Sequence, residues 1–171
     1  VEILENAKSN SQPVILVSGH FGNYDVVRAN LLAKGYEIGA LYRPMSNPFF
    51  NATYLKNIAK IGLPLFARGS SGMSEMIKYL RSGKFIALLI DQHMANGEPL
   101  KFFGETAYTA NSAAKMALKY DALLVPFFVI RKEQKSSFDL YLEMPIKNSD
   151  PNTMTQEFNN LLEQRVRNNP E

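Results

Sequence analysis

Apolar and polar residues alternate along this chain in blocks that predict strands and helices in turn. Residues 14–17 form a continuous run of Val, Ile and Leu, which is typical of a strand buried on both faces. From Asp25 the spacing becomes helical, with Val27 and Leu31 on one stripe and Gly35 at the end. A buried strand followed by an amphipathic helix is the repeating unit of an α/β protein.

The same alternation continues through the rest of the chain. Asn47-Pro48 predicts a helix start, because Asn is a favoured N-cap and Pro fits the first helical position. The apolar stripe of that helix is Phe50, Tyr54, Ile58 and Ile61, and Gly62 ends it. Further strands are predicted at residues 36–42, 63–67, 85–90, 123–130 and 138–144, and further helices at 73–80, 111–120 and 154–166. Residues 96–99 are interpreted as part of a long polar loop.

This pattern predicts one α/β domain with a mixed, mainly parallel central sheet flanked by helices on both faces. The last two predicted strands are joined by a short polar segment, residues 132–137, which predicts an antiparallel hairpin at a sheet edge. A chain of 171 residues can bury a sufficient core without disulfides.

The amino-acid composition limits the kinds of site and partner that the chain can have. The chain has no cysteine, which excludes disulfides and thiolate nucleophiles. His20 and His93 are its two histidines, so we expect neither a metal site nor another cofactor. The net charge of +3 favours anionic partners, but no basic block marks a nucleic-acid arm, and nucleic acid is not expected as a partner. No apolar run is long enough for a transmembrane helix.

His20 is the leading candidate for catalysis. It follows the first predicted strand in a tight turn, at the strand end where open α/β sheets bind ligands. With Asp25 in the first helical turn, that carboxylate could reach back to the imidazole, fix its tautomer and raise the basicity of the other nitrogen. A helix-capping Asp beside an ordinary turn histidine has the same spacing, so the pair alone does not show whether these residues are catalytic or structural.

Polar side chains also follow other predicted strands, namely Arg43, Arg68 and Asp91 with Gln92. The strand-end rule predicts that these side chains converge with His20 on one edge of the sheet. Any one of them could form a structural ion pair, and for a single arginine that interpretation is favoured. Because all of them follow a predicted strand, a shared functional site is favoured over separate structural roles.

Three further features stay open between two interpretations. Arg68 with residues 69–72 suits a phosphate, or is a helix start with a serine N-cap. Residues 102–104 belong to the core or to the apolar wall of a lipid channel. Lys115 and Lys119 on one helix face suit an acidic carrier protein or anionic headgroups, or are simply solvated.

Taken together, short motifs in this order resemble the lipid A biosynthesis acyltransferases (the lauroyl/myristoyl transferases), within the glycerolipid acyltransferase superfamily that shares the H-x4-D motif. The resemblance covers nearly the whole chain and implies a glycerolipid acyltransferase-like fold. The family usually has Trp-Glu where this chain has Tyr24-Asp25. The motifs are His20-Phe21-Gly22-Asn23-Tyr24-Asp25, Tyr42-Arg43-Pro44 with Asn47-Pro48, Asp91-Gln92, Phe102-Phe103-Gly104 with Thr109, and Val125-Pro126.

The resemblance implies acyl transfer from acyl carrier protein, or less often CoA, to a hydroxyl of a lipid A precursor, with no covalent acyl-enzyme. His20 would be the general base and Asp25 its orienting carboxylate. Arg68 and Arg43 would hold acceptor phosphates or neutralise the oxyanion. The substrate-binding residues implied in this way are Asn23, Arg43, Arg68, Asp91, Gln92, Phe103 and Thr109.

The resemblance also implies a location and a larger protein. The expected partners are acyl carrier protein, a lipid acceptor and a membrane surface, at the cytoplasmic face of the bacterial inner membrane. Relatives begin with a membrane-associated helix and continue past an Asn-Pro-Glu like residues 169–171. Since the chain begins at Val1, we expect residues 1–171 to be a single catalytic domain without that anchor and C-terminal segment.

Three alternatives remain beside this hypothesis. One is a transferase of the same superfamily that acts on a phospholipid, another glycolipid or an amino-acid lipid. Another is a thioester hydrolase, in which His20 activates water. The last is a silent lipid-binding or carrier-protein-binding module, against which the His20/Asp25 pair argues.

Overall fold

A computed structural model describes residues 2–132 and 137–170, which form six helices and eight strands. The helices are α1 (Glu2–Ser9), α2 (Asp25–Ala33), α3 (Pro48–Ile58), α4 (Ser70–Arg81), α5 (Ser112–Lys119) and α6 (Pro151–Asn168). The strands are β1 (Val14–Ser18), β2 (Ile38–Tyr42), β3 (Leu65–Ala67), β4 (Phe85–Leu89), β5 (Glu98–Phe102), β6 (Glu105–Thr109), β7 (Leu123–Arg131) and β8 (Phe138–Leu142). Within the described ranges, none of the helices combines the length and apolar character needed to cross a bilayer.

Six strands form the central sheet, in the order β3-β2-β4-β1-β7-β8. The first five run parallel, and β8 pairs antiparallel with β7 at the edge. The predicted mainly parallel sheet and its edge hairpin are therefore confirmed. The polar connection predicted between the last two strands lies mostly outside the described residues, at positions 133–136.

Each face of the sheet is covered by its own set of helices. On one face, Leu4 of α1 with Val27 and Leu31 of α2 pack against β1 and β7. On the other face, α4, α5 and α6 contribute a second apolar core that includes Met76 and Phe158. All five residues of β1 are buried, which explains its continuous apolar run. The prediction that helices flank both faces of the sheet is confirmed.

A small hairpin, β5–β6, lies where the sequence was interpreted as a polar loop. Its turn is Phe103-Gly104, and both residues have positive φ, 52° and 82°. A type I′ hairpin turn needs positive φ at both central residues, and its usual sequence signature is Asn-Gly or Asp-Gly, so Phe-Gly does not indicate such a turn. Gln156 of α6 fixes the hairpin by accepting from the Lys101 amide (2.7 Å) and donating to its carbonyl (2.9 Å).

Helix α3 begins where predicted and lies at the surface. Asn47 caps it as expected, accepting from the amides of Phe49 (3.0 Å) and Phe50 (3.2 Å). However, none of its residues is buried. Tyr54 and Ile58 of the predicted stripe are half-buried, and Phe50 is 60% exposed. The apolar stripe of this helix is therefore only partly covered.

Candidate active site

The parallel register of β1 and β4 brings His20 and Asp91 together. Ser18 lies opposite Leu89 at the last pair of the two strands, and the Ile90 amide donates to the Ser18 carbonyl (3.0 Å). His20 follows β1 by two residues, and Asp91 follows β4 by two residues. Both side chains therefore leave the sheet at its carboxyl edge, side by side.

Asp91 holds His20 through two hydrogen bonds. The His20 amide donates to Oδ2 of Asp91 (2.7 Å), and Nδ1 of the ring lies 2.7 Å from Oδ1. A carboxylate at Nδ1 favours the tautomer with its proton there, which leaves Nε2 unprotonated and able to accept a proton. The His20 side chain is 41% exposed, so the site is open to solvent and to substrate.

Two glycines let the His20 turn pack this closely. Gly22 has φ +62°, and a Cβ at this position would lie 1.9 Å from the Val129 carbonyl oxygen. A Cβ on Gly19 would lie 3.0 Å from Oδ2 of Asp91 and 2.8 Å from the side chain of Leu162. The absence of side chains at both positions therefore fixes the path of the chain around His20.

Asp25 does not hydrogen-bond to the imidazole among the described residues, and the charge that acts on it is that of Arg28. Its position as the first residue of α2 places Arg28 three residues on, on a neighbouring part of the helix surface. Burial raises the pKa of Asp25, and the positive charge of Arg28 opposes that rise. Burial likewise lowers the pKa of Arg28, against the effect of Asp25. No hydrogen bond joins Asp25 to His20 among the described residues, so the contact expected from their spacing is made by Asp91 instead.

Tyr24 is a site residue that the sequence analysis missed. Its ring meets the His20 ring edge-on, with centroids 5.6 Å apart. Burial raises the pKa of Tyr24, and the neighbouring charges of Asp25, Tyr54 and Asp91 add to the rise. The phenol therefore keeps its proton at neutral pH. Tyr24 has the same helical spacing as the buried Val27 and Leu31, so no sequence signal separates it from a core residue.

A cavity of about 610 Å³ opens beside His20 where two neighbouring strands diverge. Strands β2 and β4 pair as far as Ala40 and Ala87, after which β2 continues along β3 and β4 continues along β1. The residues beyond that fork line the cavity on both sides. They are Leu41 and Tyr42 on one side, and Leu88, Leu89 and Ile90 on the other.

The inner wall of the cavity is apolar and its rim is polar. Met76 is fully buried and Met116 nearly so, and both line it from the helical layer behind the sheet. His20, Arg43 and Arg68 line it from exposed positions. The cavity thus offers an apolar interior with a base and two cations at its opening.

Five of the nine predicted site residues line this cavity directly. They are His20, Asp25, Arg43, Arg68 and Gln92, and Asp91 joins them through His20. Metal-type clusters of three His, Asp or Glu side chains do not occur among residues 2–132 and 137–170. The convergence of strand-end residues on one sheet edge is confirmed.

The structure places Asn23, Phe103 and Thr109 away from the cavity lining. Phe103 lies in the β5–β6 turn, where the Arg167 guanidinium sits 4.5 Å from its ring centroid. Thr109 is buried and accepts from the Asn159 amide (3.3 Å). Asn23 is exposed in the turn before α2. Their substrate-binding roles stay predictions without support from this geometry.

Arg68 immediately precedes the start of α4. Gly69 is the N-cap, and no side chain caps the helix, so the alternative of a serine N-cap is not what the structure contains. The Arg68 amide donates to the Tyr42 carbonyl (2.8 Å), which ties this loop to the end of β2. A guanidinium beside an uncapped helix start is a favourable environment for an anionic group.

Comparisons with known proteins agree on one family. A family model described as bacterial lipid A biosynthesis acyltransferase matches residues 1–171. The chain is 24% identical over 177 residues to the lipid A biosynthesis acyltransferase 2 of Shigella flexneri, covering 100% of the chain and 56% of that protein. It is 23% identical over 174 residues to a lipid A biosynthesis acyltransferase of Haemophilus influenzae, covering 100% of the chain and 54% of that protein. The chain therefore spans about half the length of these curated relatives.

Proposed function

Because the chain belongs to the family of bacterial lipid A biosynthesis acyltransferases, we propose that it carries the catalytic site for moving a fatty acyl chain from a thioester to a hydroxyl of a lipid A precursor. The acyl donor in this proposal is acyl carrier protein or CoA. The observation that carries it is the His20–Asp91 pair at the rim of an apolar cavity.

His20 is proposed as the general base. Its Nε2 takes the proton of the acceptor hydroxyl while that oxygen attacks the thioester carbonyl carbon. The tetrahedral intermediate then collapses, the C–S bond breaks, and the thiolate takes the proton back from the imidazolium. No covalent acyl-enzyme is needed, because the acceptor oxygen is itself the nucleophile.

The orienting role is proposed for Asp91, which holds Nδ1 and the backbone amide of His20. This differs from the assignment suggested by the H-x4-D spacing. Asp25 keeps a place in the site because it lines the cavity, and its interaction with Arg28 supports the first turn of α2. We propose that Asp25 acts by positioning Tyr24 beside the imidazole, through the backbone of that turn.

We propose that the cavity binds the acyl chain in its interior and the polar groups of the reaction at its opening. Its volume falls within the range of about 300–1,000 Å³ that is typical of small-ligand sites. The methionine-lined interior suits the acyl chain, since methionine fills irregular apolar space. Arg43, Arg68 and Gln92 at the opening suit acceptor phosphates or the developing oxyanion.

The setting of the reaction is part of the same proposal. We propose that the protein works at a membrane surface, because the proposed acceptor is a lipid, and that this surface is the cytoplasmic face of the bacterial inner membrane. Acyl carrier protein is the proposed donor partner. These assignments rest on the family and on the lipid nature of the acceptor.

Thioester hydrolysis is a second candidate, favoured by the exposure of His20, which lets water reach the base. One assay separates the two. The intact protein is supplied with acyl carrier protein thioester, with and without a lipid A precursor, and both acylated lipid and free fatty acid are measured. If the protein transfers the acyl chain, acylated lipid forms, and His20→Ala lowers the rate of its formation by about 10²–10⁴-fold. Free fatty acid as the sole product, lost in the same variant, would establish hydrolysis.

A further inference from the structure

Helix α3 and the loop before it expose an unusual set of apolar side chains. Phe49 is 86% exposed, Phe50 60% and Met45 40%. Large apolar side chains are normally buried, and a group of exposed ones marks an interaction surface. We call Met45, Phe49, Phe50, Lys56 and Lys60 the α3 surface.

The apolar tip of the α3 surface is held rigidly. Asn47 accepts hydrogen bonds from the amides of Phe49 (3.0 Å) and Phe50 (3.2 Å). The Asn51 side chain accepts from the Met45 amide (2.8 Å), which closes the loop onto the same turn. The three apolar side chains therefore project from a fixed helix start.

Charge accompanies this apolar tip. Residues 38–74 contain no Asp or Glu, whereas the rest of the chain holds all sixteen acidic residues. The cations within that segment are Arg43, Lys56, Lys60 and Arg68. Phe49 and Lys56 are seven residues apart and share one side of the helix. Exposed aromatic rings next to lysines, with no acidic residue among them, fit a surface that is both apolar and anionic.

The α3 surface lies on the outside of the cavity wall. Tyr54 and Ile58 of the same helix line the cavity from within. Arg43, just before the loop, lines it as well. A lipid that passes from a bilayer into the cavity would therefore enter beside this helix.

We propose that the α3 surface docks the protein on an anionic lipid bilayer, with Phe49 and Phe50 at the boundary between headgroups and acyl chains. Lys56 and Lys60 then lie at the level of the lipid phosphates. Apolar side chains buried at the headgroup boundary and lysines attracted to anionic lipids are the two contributions that bind a protein surface to a membrane interface. The proposal rests on the proposed function in one respect, that the acceptor is a lipid.

A single tryptophan tests the insertion directly, because the chain contains none. Phe49→Trp is mixed with vesicles of phosphatidylglycerol and phosphatidylcholine, with bromine atoms on the acyl chains as quenchers. The control is Met144→Trp, at a 73% exposed position beyond β8 at the other edge of the sheet. We expect a blue shift and quenching for Phe49→Trp and neither for Met144→Trp.

Vesicle affinity tests the two components separately. Phe49→Ser with Phe50→Ser should weaken binding about 10-fold or more. Lys56→Gln with Lys60→Gln should weaken binding to the anionic vesicles roughly 30-fold and leave binding to pure phosphatidylcholine unchanged. Lys78→Gln with Arg81→Gln, at two exposed cations in the last turn of α4, is the matched charge control and should bind like wild type. Circular dichroism shows that each variant is folded.

Three results would overturn the proposal. The first is equal quenching at positions 49 and 144. The second is a Phe49→Trp emission that is already blue-shifted without vesicles, which would mean that another segment or a second copy covers the α3 surface. The third is a response to acyl carrier protein with none to vesicles, which would assign the surface to an acidic protein. Because vesicle binding requires no turnover, its failure leaves the proposed reaction standing, and the converse also holds.

Discussion

One carboxylate decides how His20 is held. The H-x4-D spacing favours Asp25 because the two residues are close in sequence, but Asp25 begins a helix and makes no hydrogen bond to His20 among the described residues. Asp91 is 71 positions away and reaches the imidazole because parallel pairing sets the ends of β1 and β4 side by side. At the scale of residues, strand register therefore matters more for this site than spacing along the chain.

The turn that carries His20 depends on Gly22. Gly22→Ala places a Cβ against the Val129 carbonyl oxygen in a left-handed conformation, so the turn must shift. We expect a loss of at least about 2 kcal/mol in the free energy of unfolding. Urea denaturation measures it.

Gly104→Ala is the matched control for that experiment. Gly104 also has a positive φ of +82°, but a Cβ there meets nothing within 4 Å. Backbone strain alone should cost about 1 kcal/mol. Equal losses in the two variants would show that the contact with Val129 does not constrain the His20 turn.

At the scale of elements, the N-cap of α6 gives a pH-dependent prediction. Asp150 accepts from the amides of Asn152 (2.9 Å) and Thr153 (3.3 Å). Hydrogen bonds from Thr153, followed by that from Asn152, lower the pKa of Asp150 below its usual value of 3.8. Because the pKa is lower in the folded state, the ionised cap stabilises the protein above the unfolded pKa, and this contribution is lost as the pH falls through the folded pKa.

Asp150→Asn isolates this contribution, since asparagine caps a helix without titrating. We expect the difference in unfolding free energy between wild type and variant to be constant from about pH 7 to pH 5 and to shift against wild type below about pH 4. Thermal unfolding across this range measures it. A difference that does not change with pH would contradict the role of the ionised cap.

Two features that the sequence does not reveal share a physical cause. The apolar stripe of helix α3 predicts the helix, but it does not show that this stripe supplies a cavity wall and an exposed surface. The β5–β6 hairpin turns at Phe103-Gly104, without the residues that usually mark such a turn. Tertiary packing determines both the exposure of α3 and the position of the β5–β6 turn, and the local sequence pattern does not contain that information.

At the scale of the whole molecule, the sheet was predictable because its central strands are continuous apolar runs separated by amphipathic helices. The convergence of His20, Arg43 and Arg68 followed from the strand-end rule. The cavity was not predictable from the sequence. It forms where the pairing between β2 and β4 ends, while β2 stays paired with β3 and β4 with β1. Phe103 and Thr109 were assigned by resemblance alone, and the fold places them away from that cavity.

The central claim is that His20 and Asp91 act together in acyl transfer, and a comparison of two carboxylate variants tests it most directly. Acylation of a lipid A precursor by the intact protein is measured for Asp91→Asn, Asp25→Asn and His20→Ala beside wild type. We predict that Asp91→Asn lowers kcat by roughly 10²-fold or more with little change in KM, since it removes the orienting group. Asp25→Asn should lower kcat less than about 10-fold. A loss in Asp25→Asn as large as that in His20→Ala, with Asp91→Asn close to wild type, would contradict the account and return the orienting role to Asp25.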